Sequence, residues 1–291
     1  MKPRKTDVRG MVAIVTILTL IYVSGCAPKT RIRASDAMFD ENRVEKIAVF
    51  TEGKINWPRM GRGGAVLGVA DSKKAVEEHL AMTKQILSNK GYEVVFAESV
   101  GIGYHCNQWW LMPEEYGKDE TCQLTPIPDA KPQFIFPKFQ ENEDFSRATH
   151  NLIRQVEAAI VQKRLYSFVP DHDDIEVIRQ FTEADTICLN RIYGVKYSTG
   201  RKVGAFAMGV VAAMFGAYGQ GHLSDMVDSF YIFIDARTGD VLWERGIYVA
   251  GDPVEPNQEF VAGVLKFFPA KNEPFNQEVC AKGEGDFVYC K

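Results

Sequence analysis

The first 26 residues constrain this chain more than any other stretch, because they decide how much of it joins the fold. Lys2, Arg4, Lys5 and Arg9 stand against one acid, Asp7, and residues 11–23 (MVAIVTILTLIYV) then run without a charge. A basic start followed by a short apolar run is the pattern of a secretory signal peptide, which the mature protein lacks. A bilayer-spanning helix needs about 20 apolar residues, so a permanent anchor helix is the weaker reading. The small residues Ser24 and Gly25 follow, and then Cys26. Removing residues 1–25 from the 291 leaves 266, and the net charge moves from −4 to −7 as four basic residues and one acid depart.

Val23-Ser24-Gly25-Cys26, directly behind that apolar run, resembles the lipobox of bacterial lipoproteins. The resemblance implies cleavage before Cys26, diacylation of its sulfur and acylation of the new amino terminus with fatty chains such as palmitate. Two or three chains anchor stably where one is marginal. Ala27 after the cysteine, in place of Asp, implies sorting to the outer membrane, facing the periplasm. Residues 26–44 are polar without sustained periodicity and read as a flexible tether. The whole chain is 46% hydrophobic and 25% charged, enough apolar surface for a real core. Its acidic balance argues against a nucleic-acid partner, which selects for basic stripes.

Beyond the tether, the order of elements predicts an α/β (α+β) fold: a mixed β-sheet packed with helices in one main domain, residues 45–270. Residues 45–51 (EKIAVFT) form a buried first strand. Asp71 or Ser72 caps a helix that runs to Asn89, with Val76, Leu80, Thr83 and Leu87 on one face and Gly91 ending it. Residues 92–97 (YEVVFA) are the next strand. Residues 100–140, with Cys106, Cys122, two tryptophans and a proline series, form a loop-rich insertion. Helices follow at 145–166 and from about Asp173 to Thr182, and then a strand at 184–195. Residues 229–235 and 240–249 form a hairpin around Ala236-Arg237-Thr238-Gly239. Residues 260–268 are a last short helix, and 271–291 a polar, irregular tail.

Several segments invite chemical readings. With Cys26 acylated, Cys106 and Cys122 lie in the insertion and Cys280 and Cys290 in the tail. Pairing within each segment is the simplest disulfide assignment, although four cysteines allow three connectivities. Cys188, inside an apolar strand, reads as a buried free thiol. Gly61-Arg62-Gly63-Gly64 lacks the Gly-Lys-Ser/Thr ending of a phosphate loop, and Val66 stands where a dinucleotide fingerprint needs Gly or Ala, so it reads as a loop. His172 among Asp171, Asp173 and Asp174 is a possible metal ligand, with His105 or His150 as distant partners, but the acids suit a helix start. No cofactor and no catalytic residue set is expected. Residues 203–219 run 17 positions without a charge, rich in Gly and Ala. A buried helix between strands is the favoured reading, and an assembly or membrane contact the other.

Ile234-Asp235-Ala236-Arg237-Thr238-Gly239-Asp240-Val241-Leu242-Trp243 resembles the turn of quinoprotein-type propeller blades, but a propeller repeats its turn once per blade. One copy excludes that architecture. Asp235 is left to bond the amides ahead of it, with Trp243 packing across the hairpin. Taken with the lipobox, the IAVF strand, the helix ending before Gly-Tyr-Glu-Val-Val and the Ala-Asp-Thr-Ile-Cys-Leu strand, this hairpin resembles a group of periplasmic lipoproteins. Their soluble part has the fold of the TolB amino-terminal domain, shared with the curli-secretion lipoprotein CsgG. The resemblance covers residues 45–99 and 184–250 and implies roles in envelope assembly or secretion, with protein partners and no catalysis. The expected function is a non-enzymatic accessory of an envelope or secretion system, held to the membrane through acylated Cys26 and capable of homo-oligomer formation. The alternatives are an oligomeric pore component using 203–219 and a metal-binding or hydrolytic envelope protein.

Overall fold

A computed structural model describes residues 30–34, 44–58, 65–102, 134–161, 168–203, 224–255, 258–273, 280–282 and 287–290. The sheet is built around β2 (Lys46–Pro58), whose Ile47, Ala48, Val49 and Phe50 are fully buried. β2 pairs in parallel with β4 (Glu93–Ile102) on one side and β6 (Thr186–Val195) on the other. A central parallel pair is covered on both faces, so its apolar run need not alternate. β7 (Met226–Asp235) and β8 (Val241–Ala250) extend the sheet antiparallel from β6 as the expected hairpin. The fold class is α/β, with β5 (Phe134–Ile135), β1 (Thr30–Ala34), β10 (Phe287–Cys290) and β9 (Cys280–Lys282) completing one mixed sheet ordered β5-β4-β2-β6-β7-β8-β1-β10-β9. The short β3 (Ala65–Leu67) pairs with the end of β2, and β5 (Phe134–Ile135) with the end of β4.

Helices cover both faces. α1 (Val69–Asn89) connects β2 to β4 and lies with α4 (Gln258–Val264) on one side, burying Ile86, Leu87, Val261 and Val264 against Ile47, Val49 and Phe233. Phe268 stacks on Phe233 at 4.0 Å, and Trp243 meets Phe233 edge-on at 5.6 Å across the hairpin. α2 (Glu143–Val161) and α3 (His172–Thr182) cover the other side. There Phe145 stacks on Phe181 at 3.9 Å and packs with Phe50, Phe96 and Phe139. Truncating such a ring to alanine costs about 3–5 kcal/mol.

Local signals place the ends of these elements. Gly91, at φ 90°, turns the chain out of α1. Asp171 caps α3 and accepts from the Asp173 amide at 2.9 Å. Asp235 accepts from the Arg237 amide at 2.8 Å, and Gly239 closes the hairpin turn at φ 77°.

Three expectations are corrected. α1 starts at Val69 after Gly68, so neither Asp71 nor Ser72 caps it. β3 and β2 deliver the chain earlier than the sequence pattern suggested: Asp71 accepts from the Trp57 indole at 2.7 Å, and Ser72 Oγ accepts from the Ile55 amide at 2.9 Å. The tether expected over 26–44 is interrupted by β1 (Thr30–Ala34), which lies in the sheet between β8 and β10 (Phe287–Cys290). The tail expected to be irregular supplies β9 (Cys280–Lys282) and β10, which complete that edge. Both corrections have one cause, because the two termini are each other's strand partners.

Candidate functional site

The interior changes character along β2. On the α2 face Ala48 and Phe50 are followed, at the same alternation, by Glu52, Lys54 and Asn56. Register sets Arg191 of β6 beside Glu52 and Tyr193 beside Lys54, and Asp228 of β7 beside Tyr193. Glu157 reaches this row from α2. Glu52 is 1%, Lys54 3%, Glu157 3% and Arg191 7% exposed.

Arg191 is the centre of the cluster. Its Nη1 donates to Glu157 Oε1 at 3.1 Å and to Oε2 at 3.3 Å, and its Nη2 donates to Asp228 Oδ2 at 3.0 Å. The guanidinium also lies 4.3 Å from the centre of the Tyr193 ring. Tyr193 donates to Glu52 Oε1 at 3.5 Å, while Glu52 Oε2 has no protein partner.

Burial, reinforced by the Glu157 charge, pushes the Glu52 carboxyl well above the usual carboxylate range, against the pull of Arg191 and Lys54. Burial also raises Glu157, opposed by Arg191, and lowers the Lys54 ammonium to about 8. Such a cluster holds protons within the interior and ties α2 to two strands of the sheet. It lies toward the carboxyl ends of the parallel strands, the side on which open α/β sheets bind ligands. The sequence signal for it was weak: Glu52 and Lys54 end the apolar run, and their partners are more than a hundred residues away.

The other face carries its own polar row. Thr51, Asn190, Tyr231 and Arg245 are direct neighbours across β2, β6, β7 and β8. Thr83 of α1 bonds the Tyr231 hydroxyl at 2.7 Å, and Arg245 Nη1 donates to the Gly263 and Val264 carbonyls. His79 of α1 is fully buried, with neither ring nitrogen bonded to protein, and burial lowers it to about 3.

At the opposite end of the strands an open hollow is lined by Glu45, Asp185, Asp235, Arg237 and Thr238. The Asp185 and Asp235 carboxylates are engaged, Asp235 by Arg237. Asp185 accepts from the Glu45 amide at 3.2 Å and the Lys46 amide at 3.0 Å, which locks the α3–β6 connection onto the start of β2.

The residues singled out in the sequence are dispersed. Asp171 and Asp173 form the α3 cap, and Asp174 accepts from Asn151 at 3.2 Å and Gln155 at 3.0 Å. His172 is exposed at the start of α3, whereas His150 is buried on α2 beside Phe139. Among the described residues no group of three or more His, Cys, Asp or Glu side chains has metal-holding geometry. Cys188 is the buried free thiol expected, and burial raises its pKa well above the ordinary value. Cys280 and Cys290 are register partners in β9 and β10. Cys26, Cys106, Cys122, His105, the glycine stretch at 61–64 and nearly all of 203–219 lie outside the described residues. No helix among the described residues is long and apolar enough to cross a membrane. No protein-family model, curated protein or solved structure matches the chain.

Proposed function

We propose that this chain is a lipid-anchored envelope protein, held through Cys26 on the periplasmic face of the outer membrane. It works as an accessory or assembly component through protein contacts. The observation that carries the reading is β1. The lipobox-like cysteine is separated from the first sheet strand by only Ala27, Pro28 and Lys29. Three residues reach roughly 10 Å when extended, so the acyl chains would hold one edge of the sheet against the bilayer surface. A domain seated in this way suits a platform for neighbouring envelope proteins.

The test is expression of the full chain in a bacterial envelope with radiolabelled palmitate, followed by mass analysis of the amino-terminal peptide and crosslinking in place. Acylated Cys26 as the first residue, loss of label and membrane retention in Cys26→Ala, and crosslinks to envelope proteins are expected. A soluble wild-type protein with an unmodified Cys26 would refute anchoring. An acylated protein that crosslinks to nothing would refute the partner-binding role.

A further inference from the structure

Among the described strands, β9 and β10 reach the rest of the sheet through β1 alone. The edge runs β8-β1-β10-β9, and β1 makes four register pairs with β10, from Thr30 opposite Cys290 to Arg33 opposite Phe287, but two with β8. A two-stranded hairpin is marginal in water by itself, so this terminal unit calls for a brace. The register supplies the place for one: Cys280 and Cys290 are direct partners across β9 and β10, flanked by Ala281 opposite Tyr289 and Lys282 opposite Val288. Directly opposed residues of an antiparallel pair stand about 4.5–5.5 Å apart at Cα, inside the span of about 4.4–6.8 Å that a disulfide bridges.

We propose that Cys280 and Cys290 form a disulfide that clasps β9 to β10 and so steadies the hairpin beside β1. The oxidant is a disulfide of the glutathione class. One cysteine thiolate attacks its sulfur–sulfur bond, forming a mixed disulfide and expelling a glutathione thiolate. The second cysteine thiolate then attacks the protein sulfur of that mixed disulfide and expels the second glutathione. Two protein thiols and one oxidised glutathione thus become one protein disulfide and two reduced glutathiones. Cys188 does not compete, because it is fully buried in β6. The clasp stands on strand register and is independent of what is attached to Cys26.

The test uses the purified full chain, equilibrated with oxidised and reduced glutathione, alkylated, and digested with trypsin without reduction. Cleavage after Lys282 separates the two cysteines, so a linked pair of peptides spanning Cys280 and Cys290 is the expected product. Linkage of either one to Cys106 or Cys122, or alkylation of both under oxidised glutathione, would overturn the assignment. Hydrogen exchange supplies the second readout. Opening the clasp, by reducing the wild type or in the variant Cys280→Ser/Cys290→Ser, should speed exchange in β1 and β10 on the order of a hundredfold and leave β6 unchanged. Reduction of the wild type needs no variant to fold. Equal exchange in β1 before and after it would refute the clasping role even if the bond forms.

Discussion

Replacing His79 with leucine should make this protein more stable, and increasingly so as the solution is acidified. His79 is fully buried on α1 against Phe260, and neither ring nitrogen has a protein partner. Burial lowers its pKa from 6.5 to about 3. The unfolded chain therefore binds a proton near pH 6.5 that the folded chain refuses until about pH 3. Stability contributed by the neutral imidazole is complete above pH 6.5 and is lost as the pH falls toward the folded value. The slope is about 1.4 kcal/mol per pH unit, or about 2.7 kcal/mol between pH 6.5 and 4.5. Leucine does not titrate, so the variant lacks this loss. It also removes two buried polar atoms without protein partners, a gain of about 1–2 kcal/mol at pH 7.

The assay is urea unfolding of both proteins, followed by circular dichroism, across pH 7.5 to 4.5. His150, also lowered by burial to about 4, and the carboxylates titrate in both proteins and cancel in the difference. The stability gap should widen by about 2.7 kcal/mol over this range. A gap independent of pH would refute the reasoning, and so would a variant less stable than wild type at neutral pH.

Other substitutions probe the remaining features. Arg191→Met should cost about 3–5 kcal/mol, because Glu157 then stays buried without its cation. The cost should shrink as the pH falls and Glu157 protonates, and Arg191→Met/Glu157→Gln should recover most of it in the same unfolding assay. Asp171→Ala removes the α3 cap and should cost about 0.5–2 kcal/mol in thermal or urea unfolding. Gly239→Ala forces a side chain into φ 77° and should cost about 1–2 kcal/mol. If its melting temperature matches wild type, the turn geometry is wrong.

The hairpin of β7 and β8, α3 behind its acidic start, and the exit of α1 at Gly91 are legible because their determinants lie within a few residues of one another. The sequence pattern ends the first strand at Thr51, whereas β2 runs to Pro58, for the opposite reason. Glu52, Gly53 and Lys54 look like a strand end until Arg191 and Glu157 arrive from distant parts of the chain to offset their charge. The ionic cluster was missed with it. β1, β9 and β10 escape a sequence reading because each is only three to five residues long, and β1 and β10 find each other across almost the whole chain. Cys280 and Cys290 stand in one segment of the sequence, but only strand register sets them opposite each other.

The pairing of the two termini also sets an order of assembly. Thr30 is among the first described residues to be made and Cys290 among the last, yet they are strand partners. The edge beyond β8 therefore cannot be finished until residues 287–290 have been made. Until then β1 presents an open edge beside β8, the kind of surface that recruits strands from other chains. Contacts so distant in sequence are costly to close and form slowly. A chain shortened by its last few residues would keep the central core but leave β1 without its larger set of partners. The integrity of β10 is thus read out at β1, and a stop placed before Phe287 would be felt about 250 residues upstream, at Thr30 to Arg33.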